Sequence, residues 1–580
     1  MAYRYIALLD TTAAPQAAHA VEATDRLNRL RMRQCLRTRH CTVHVSEQTP
    51  FIALHGQGLL IGHVFSRSGE PLTQESQFPR FQSSSQLCRY ILENCWGAYL
   101  VVLPDPEHDG RITVLRDPEG GMPCIHHLEN GSGFIASDIE LPLCAGRYQK
   151  RIDWDSILHR LIHPDIKTAR TGLAGIQELL PGTRLVVHGT RLTLHTAWSP
   201  WDFLTGKLRH ASIEDAAEAV RTAIDMVVNA WARTDRSILL ELSGGLDSSV
   251  VGAALLGSDA RVFCCTLTTP VPGADERHYA NQIAALLDAP IDVETMGLES
   301  TLHDSAPAAG LPTPRVGMLQ HITDTIMENA RQRHGAASFF SGGGGDTVFC
   351  YLTSAAPAAD AFQQMGLAGA FHTLRDLAGL HQCTIWKAGR LTLRKLMRPP
   401  GSPCNAMIEF ISPGLANCLL EHHPWCDMPD TASPGDRERV FALAATHVYR
   451  DSAPRGRQAH LRLPLLSQPV MEATLRVPSW MWIAGARNRA VARLAFADRL
   501  PPEILARRSK GSFIGFVGAL YARHRSRLRD YLLDGCLHSH GLLDAPAVQR
   551  FIDSDLPPRD RTFGRLLDLY AVENWIRHQT

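Results

Sequence analysis

The sequence predicts two unlike domains. The first is an α+β domain built on antiparallel sheet over residues 1–200. The second is an α/β domain with a mostly parallel sheet and extra C-terminal helices over residues 201–580. Three observations carry this division. Short apolar runs punctuated by Gly, Pro and Asp fill the first third, as in antiparallel sheets. From about residue 212 strand and helix patterns alternate, which builds a parallel sheet covered on both faces. At 580 residues the chain exceeds what one core usually organises.

The opening run, 1–10, reads as a strand, too short and too quickly polar for a signal peptide. Strands follow at 42–45, 51–54, 59–62, 98–103, 112–115 and 133–137, with a short helix over 86–95. Leu180-Pro181-Gly182 is a turn feeding a strand, and Trp198-Ser199-Pro200-Trp201 marks the crossing into the second domain. His55, His63, His126 and His127 have no carboxylate or nucleophile at a telling interval and read as packing or surface residues. Arg116-Asp117 before Pro118 reads as a turn held by its own ion pair.

Composition narrows the classes. The 59 basic and 58 acidic residues give no push toward nucleic acid. No stretch approaches the ~18 apolar residues of a membrane span. The 14 cysteines form no Cys-x-x-Cys pair. Buried free thiols in a reducing, cytoplasmic setting explain them better than disulfides or zinc.

In the second domain a helix is expected over 212–232 and a strand over 236–242, leading into Ser243-Gly244-Gly245-Leu246-Asp247-Ser248-Ser249. Two glycines permit close backbone approach, and hydroxyls with the first amides of the next helix form a nest for phosphate. Asp247 would repel a bare phosphate and makes more sense as a magnesium ligand. The loop reads as the phosphate grip of an ATP user, without the lysine of a Walker loop. A buried strand over 261–268, a helix over 278–287, a short strand at 291–293 and a helix over 318–333 continue the alternation.

Parallel sheets bind ligands beyond the carboxyl ends of their strands. A second loop is therefore expected after the strand at 337–340, and the sequence supplies Ser341-Gly342-Gly343-Gly344-Gly345-Asp346. Four successive glycines cost backbone entropy, and a ligand lying against bare backbone is the simplest reason. Asp346 would then share a magnesium ion and its pyrophosphate with Asp247. Between the loops, Asp275-Glu276-Arg277 opens a helix, either as caps or with a role toward the acceptor.

These two loops resemble the pyrophosphate motif and second loop of the asparagine synthetase class B superfamily. Gly62, Phe65, Trp96-Gly97-Ala98-Tyr99, Arg116-Asp117-Pro118 and Leu180-Pro181-Gly182 extend the resemblance through the N-terminal domain. Pro464-Leu465-Leu466-Ser467-Gln468-Pro469-Val470 and Leu500 to Gly511 extend it toward the C-terminus, with Lys510 matching the lysine that reaches the adenylated intermediate. The resemblance implies an N-terminal Ntn-type glutaminase fold and an ATP-pyrophosphatase-like synthetase domain. It implies ATP and Mg²⁺ as cofactors and release of AMP and pyrophosphate. It assigns nucleotide contacts to Leu242, Ser243, Gly244, Gly245, Leu246, Asp247, Ser248, Ser249, Ser341, Gly342, Gly343, Gly344 and Asp346. Asp247 and Asp346 are the implied metal ligands, and they join Lys510 as the implied catalytic set.

Two departures refine the expectation. Glutamine-dependent relatives carry a cysteine directly after the initiator methionine, where this chain has Ala2 and Tyr3, so a degenerate glutaminase is implied. Asparagine-forming relatives have glutamate, and β-lactam-forming relatives tyrosine, where this chain has Gly343. Both departures resemble the lasso peptide macrolactam synthetases. Those enzymes adenylate an Asp or Glu side chain of a ribosomal precursor peptide and close a ring with its N-terminal amine. A leader peptidase and a leader-recognition protein are the implied partners. A β-lactam-synthetase-like or ammonia-dependent asparagine-synthetase-like enzyme is the alternative. Glu472, His321 and Asp376 are candidate bases for the amine.

In the remainder, helices are expected over 359–380, 436–449, 468–476, 484–497, 513–533 and 560–577, the last of them closing over the carboxylate substrate. Residues 386–398 read as a basic amphipathic helix with a solvated face, open to a peptide or partner protein. Residues 401–435 read as a mobile or irregular insert.

Overall fold

A computed structural model describes residues 3–12, 17–105, 107–273, 275–298, 306–307, 310–314, 319–398, 401–402, 404–450, 455–508, 510–555 and 560–579. Ala2, the residue on which the missing nucleophile turns, lies outside them.

Within residues 5–196 two six-stranded sheets form. In the first, Tyr5–Asp10 pairs with Ser132–Ala136 on one side and Cys41–Ser46 on the other, both antiparallel. In the second, Tyr99–Pro104 lies between Arg111–Arg116 and Leu59–Gly62, again antiparallel. The expected strands are all present. Helices Ala17–Arg29 and Trp154–Ile162 and strands Met32–Arg37 and Ile125–Glu129 are additional.

The second half carries a five-stranded parallel sheet in the spatial order Ile291–Thr295, Arg261–Thr268, Ser237–Glu241, Ser338–Ser341, His460–Arg462. All four pairings are parallel. The chain builds outward from Ser237–Glu241 in one direction, then returns to add Ser338–Ser341 on its other side. That reversal is the topological switch point of the sheet, the place where such folds bind ligands.

The two halves share one apolar core. Phe65 stacks on Trp96 at 4.6 Å, and both meet the edge of Trp231 from helix Ile213–Asp235. The Arg462 guanidinium lies 3.8 Å over Trp231 and pairs with Asp235 at 2.9 Å. Aromatic area and a buried ion pair thus weld sheet to helix.

Three expectations need correction. Segment 404–433 is irregular, with short turns at Pro413–Leu415 and Pro424–Cys426, yet it is anchored. Trp425 is fully buried, and its carbonyl accepts from Trp201 Nε1 at 2.9 Å. The late helices Ile514–Leu533, Ala545–Asp553 and Phe563–Arg577 pack on two sides: Phe516 and Leu520 of the first meet Met296, with Leu267 and Val271 packed against them at the carboxyl end of the parallel sheet. All three helices share a second core with Ile6, Leu8, Phe134 and Ala136 of the first antiparallel sheet. Over 484–497 the helix starts only at Ala490. A hairpin of Ile483–Ala484 and Arg487–Asn488 precedes it, turning through Gly485 and Ala486, both at φ 57°. Finally, the turn at Arg116-Asp117 is fixed by more than a local ion pair. Arg116 pairs with Glu178 at 2.7 Å and donates to the carbonyls of Gly120, Met122 and Leu179. Asp117 accepts the amides of Tyr99, Gly121 and Met122.

All fourteen cysteines are free. No helix among the described residues is long and apolar enough to cross a membrane.

The folding of so many polar side chains into the core has a pH signature. Burial depresses His44, His63, His126, His159 and His423 to about 4 and His460 to about 3, and holds His447 well below its usual range. Four carboxyls oppose them: Asp117 raised to about 7, Asp360 to about 6, and Asp202 and Asp247 also pushed up by burial, the two with the largest shifts being Asp117 and Asp360. Unfolded histidines bind protons near pH 6.5, which the folded ones refuse until near pH 4. Stability is therefore fully present above pH 6.5 and lost as pH falls through that window, with the four carboxyls offsetting part of the loss. Thermal denaturation should show a Tm falling steadily from pH 7 to pH 5, and a Tm that rises over that interval contradicts this account.

Candidate active site

Both glycine-rich loops leave the sheet side by side. Glu241 and Ser341 are paired residues at the ends of neighbouring strands, so the chains that follow them emerge together. Helix Leu246–Ala254 starts from Gly245, with no side chain capping its first turn. Inside the first loop Ser248 Oγ accepts from the Ser243 amide at 3.2 Å, and Ser249 Oγ donates to the Gly245 carbonyl at 2.8 Å. Gly244 takes φ 66°, a left-handed conformation that favours glycine. In the second loop Ser341 Oγ accepts the Gly343 amide at 3.2 Å.

The loops touch each other, and this explains two of the four glycines differently from the sequence expectation. A Cβ on Gly342 would lie 2.4 Å from the Ser248 nitrogen, and one on Gly345 would lie 2.5 Å from Cβ and Cγ of Asp247. Gly344 is left-handed at φ 86° and presses on Leu466, 2.4 Å from where its Cβ would stand. Only Gly343 has room: its Cβ would meet just the tip of Leu463 at 3.0 Å and Ser341 Oγ at 3.6 Å. Close packing demands three of the glycines, and the fourth, Gly343, meets only side-chain tips.

This packing brings Asp247 and Asp346 to a single cation. Arg489 Nη1 lies 2.8 Å from Asp247 Oδ1 and 3.0 Å from Asp346 Oδ1. Asp346 Oδ1 is buried and lacks a hydrogen bond, so its contact with Arg489 is an ion pair without hydrogen-bond geometry. Burial pushes the Asp247 carboxyl up. Arg489 pulls it down, Asp346 pushes it up again and Lys510 pulls it down. Arg489 was not foreseen. It stands at φ 54° just after the hairpin, in a stretch that reads as continuous helix, so nothing in the sequence marks it as facing the loops.

Lys510 stands beside the second loop. Its Nζ lies 3.2 Å from Asp346 Oδ2, and its Cε is 3.9 Å from where a Gly245 Cβ would stand. Glu276 holds this segment: buried, it accepts the Gly511 amide at 2.6 Å and pairs with Arg507. Arg507 in turn donates to the Gly244 carbonyl at 2.7 Å and covers Tyr279. Glu276 therefore ties the Lys510 segment to the first loop. Asp275 instead caps its own turn, accepting the Arg277 amide at 3.1 Å.

Two of the three candidate bases, Glu472 and Asp376, are engaged elsewhere. Glu472 is buried between Arg67 at 2.7 Å, Gln468 at 2.7 Å and Trp198 at 3.3 Å. Asp376 accepts the Gly485 amide at 3.2 Å, steadying the hairpin before Arg489. His321 lies on helix Leu319–His334, its carbonyl accepting from Thr325.

The donor set suits magnesium. A hard cation that takes one or two carboxylates and fills its shell with phosphate oxygens and water matches two neighbouring aspartates. No third His, Cys, Asp or Glu gathers with them among the described residues.

Asp247, Asp346 and Lys510 thus stand together at the switch point of the sheet. Residues 219–577 match the asparagine synthase family. The chain belongs to that family, and its reaction class is ATP-dependent amide formation, with ATP and Mg²⁺ in general use. None of the curated proteins matches it. Among solved structures, glutamine phosphoribosylpyrophosphate amidotransferase from B. subtilis is 11% identical, with 58% of this chain and 90% of that one covered and a TM-score of 0.20. The allosteric regulatory enzyme of purine biosynthesis is 10% identical, with 59% and 83% covered and a TM-score of 0.19.

Two substitutions test the geometry. Gly345→Ala forces a carbon into Asp247 and should cost about 1–3 kcal/mol by overpacking, whereas Gly343→Ala should leave the urea midpoint nearly unchanged. Arg489→Met strands the buried Asp247 carboxylate and should cost about 3 kcal/mol, read as the same midpoint. Equal midpoints for the two glycine variants contradict the packing described.

Proposed function

We propose that this enzyme forms a macrolactam in a ribosomal precursor peptide, adenylating an Asp or Glu side chain and joining it to the peptide's N-terminal amine. The observation that carries the reading is Gly343. Of the four glycines in the second loop it is the one whose Cβ would meet only side-chain tips, at the position where asparagine-forming relatives have glutamate and β-lactam-forming relatives tyrosine.

The chemistry divides into two halves. A substrate carboxylate oxygen attacks the α-phosphorus of ATP, and pyrophosphate leaves. The amine then attacks the acyl carbon, AMP leaves, and the amine loses its proton. Ser243, Ser341 and the loop amides hold the departing pyrophosphate, a preorganised set of donors. Asp247 and Asp346 would hold Mg²⁺, which supplies charge neutralisation on the phosphates when bound. Arg489, between the two aspartates, compensates their charge and orients both side chains. Lys510, tethered by Glu276, stabilises negative charge as either leaving group departs. Holding amine and acyl group in one folded peptide supplies the proximity term, which can reach about 7–11 kcal/mol.

The N-terminal half supports a route without glutamine. A glutaminase needs a readily ionised thiol. Five of the six cysteines in residues 1–200, Cys35, Cys41, Cys88, Cys95 and Cys124, are each pushed up to about 12, chiefly by burial, and the sixth, Cys144, stands exposed at the end of helix Glu140–Cys144. A leader peptidase and a leader-recognition protein are the proposed partners, delivering the core peptide.

ATP–pyrophosphate exchange tests the activation half. Exchange should depend on a precursor peptide bearing an Asp or Glu, and should fall by at least about a hundredfold in Asp247→Ala and Asp346→Ala. Exchange that responds to free aspartate or a β-amino acid instead selects the asparagine-synthetase-like or β-lactam-synthetase-like alternative. Glutamate release from glutamine should stay at the level of the uncatalysed reaction; enzymatic hydrolysis overturns the glutamine-free route.

A further inference from the structure

Helices Ala356–Leu380 and Ile385–Met397 pack against each other and turn the wrong face to solvent. In the second, Trp386, Arg390, Leu393 and Met397 fall on one side, at the i, i+4, i+7, i+11 spacing of a helical stripe. That stripe is the exposed one, with Trp386 at 85% and Met397 at 75%. The inward positions are the small Ala388 and Thr392, both buried. A solvated polar face was expected here, and the exposed stripe is mainly apolar.

The first helix repeats the inversion. It kinks at Gly366 (φ 68°, ψ −158°), and residues 362–368 around the kink are exposed without exception. Phe362, Met365 and Leu367 are therefore bare on every side of the elbow, Leu367 at 79%. After the kink Phe371 stays outward while Ala370 and Thr373 turn in. The connection 381–384 is short, so the helices run antiparallel and Met397 returns toward the elbow.

Charge sets the partner. Residues 361–398 hold one carboxylate, Asp376, and it is buried. Arg375, Lys387, Arg390, Arg394 and Arg398 are exposed. Lys395 alone is drawn inward, to Glu438 at 2.5 Å.

We propose that this kinked helical pair is a peripheral attachment site for an anionic lipid bilayer. A partner protein offers a fixed complementary surface, which suits a flat or grooved face. A convex apolar wedge bare on all sides, ringed by cations, is matched by a medium that closes round it. At a bilayer the elbow and Trp386 enter below the headgroups, and the Lys and Arg stems leave their charges at the phosphates. Anionic lipid then adds the attraction that a single shallow wedge lacks.

Flotation of the full chain with vesicles tests this. Phosphatidylcholine vesicles with roughly 30 mol % phosphatidylglycerol should carry at least about tenfold more protein than pure phosphatidylcholine vesicles, and high salt should release it. Leu367→Glu and Trp386→Glu should each lower binding by about tenfold with an unchanged Tm. A blue shift of tryptophan emission on binding should be absent in Trp386→Phe. No preference for the anionic vesicles, or binding untouched by both glutamate variants, overturns the proposal. So does sedimentation velocity in which the protein self-associates and those variants restore a monomer, because a second copy then covers the face.

Discussion

Two carboxylates that repel each other are held on one guanidinium, and much of the second half of the fold serves that arrangement. Asp247 and Asp346 come from different loops, yet each lies within hydrogen-bonding distance of Arg489 Nη1. Left alone in a buried crevice, such a pair would shed a charge or force the loops apart. The parallel sheet sets the strand ends side by side, the glycines let the loops close, and the hairpin delivers the cation. Asp376 steadies the hairpin through Gly485, so a residue with no place in the chemistry fixes the position of one that has.

The same logic of buried charge recurs elsewhere. Arg67 binds Glu472 across the two halves of the chain, and within the second half Arg462 binds Asp235 and caps Trp231 while Arg209 binds Asp436. Each pair is shielded and makes further hydrogen bonds or aromatic contacts. Breaking one member of such a pair costs far more than the intact pair contributes. These contacts therefore act chiefly as registers, fixing which elements meet and in what orientation.

Much of this was legible in the sequence, for physical reasons. Period-two and period-3.6 patterns mark strands and helices well where one face is buried. The strand–loop–helix at Ser237 to Ala254 and its counterpart at Ser338 to Val348 follow from apolar runs broken by glycine. Legibility failed where local pattern and tertiary placement diverge. Residues 484–497 carry a helix-like apolar spacing, but a left-handed turn at Gly485 and Ala486 breaks it, and Arg489 was lost with it. Segment 404–433 looks polar and loose, and only the burial of Trp425 shows that it is pinned. Glu276 reads as an N-terminal cap because its partner Arg507 lies 231 residues away.

The four glycines of the second loop are unequal in what they permit. Three are locked by contacts with Asp247, Ser248 or Leu466, so almost any change there damages the grip on phosphate. The remaining one, Gly343, can accept a side chain at little structural cost. Under the proposed function, activation and acceptor choice are thereby separated within four consecutive residues, and a single replacement at Gly343 exchanges one amine partner for another while leaving the packing of the two loops untouched.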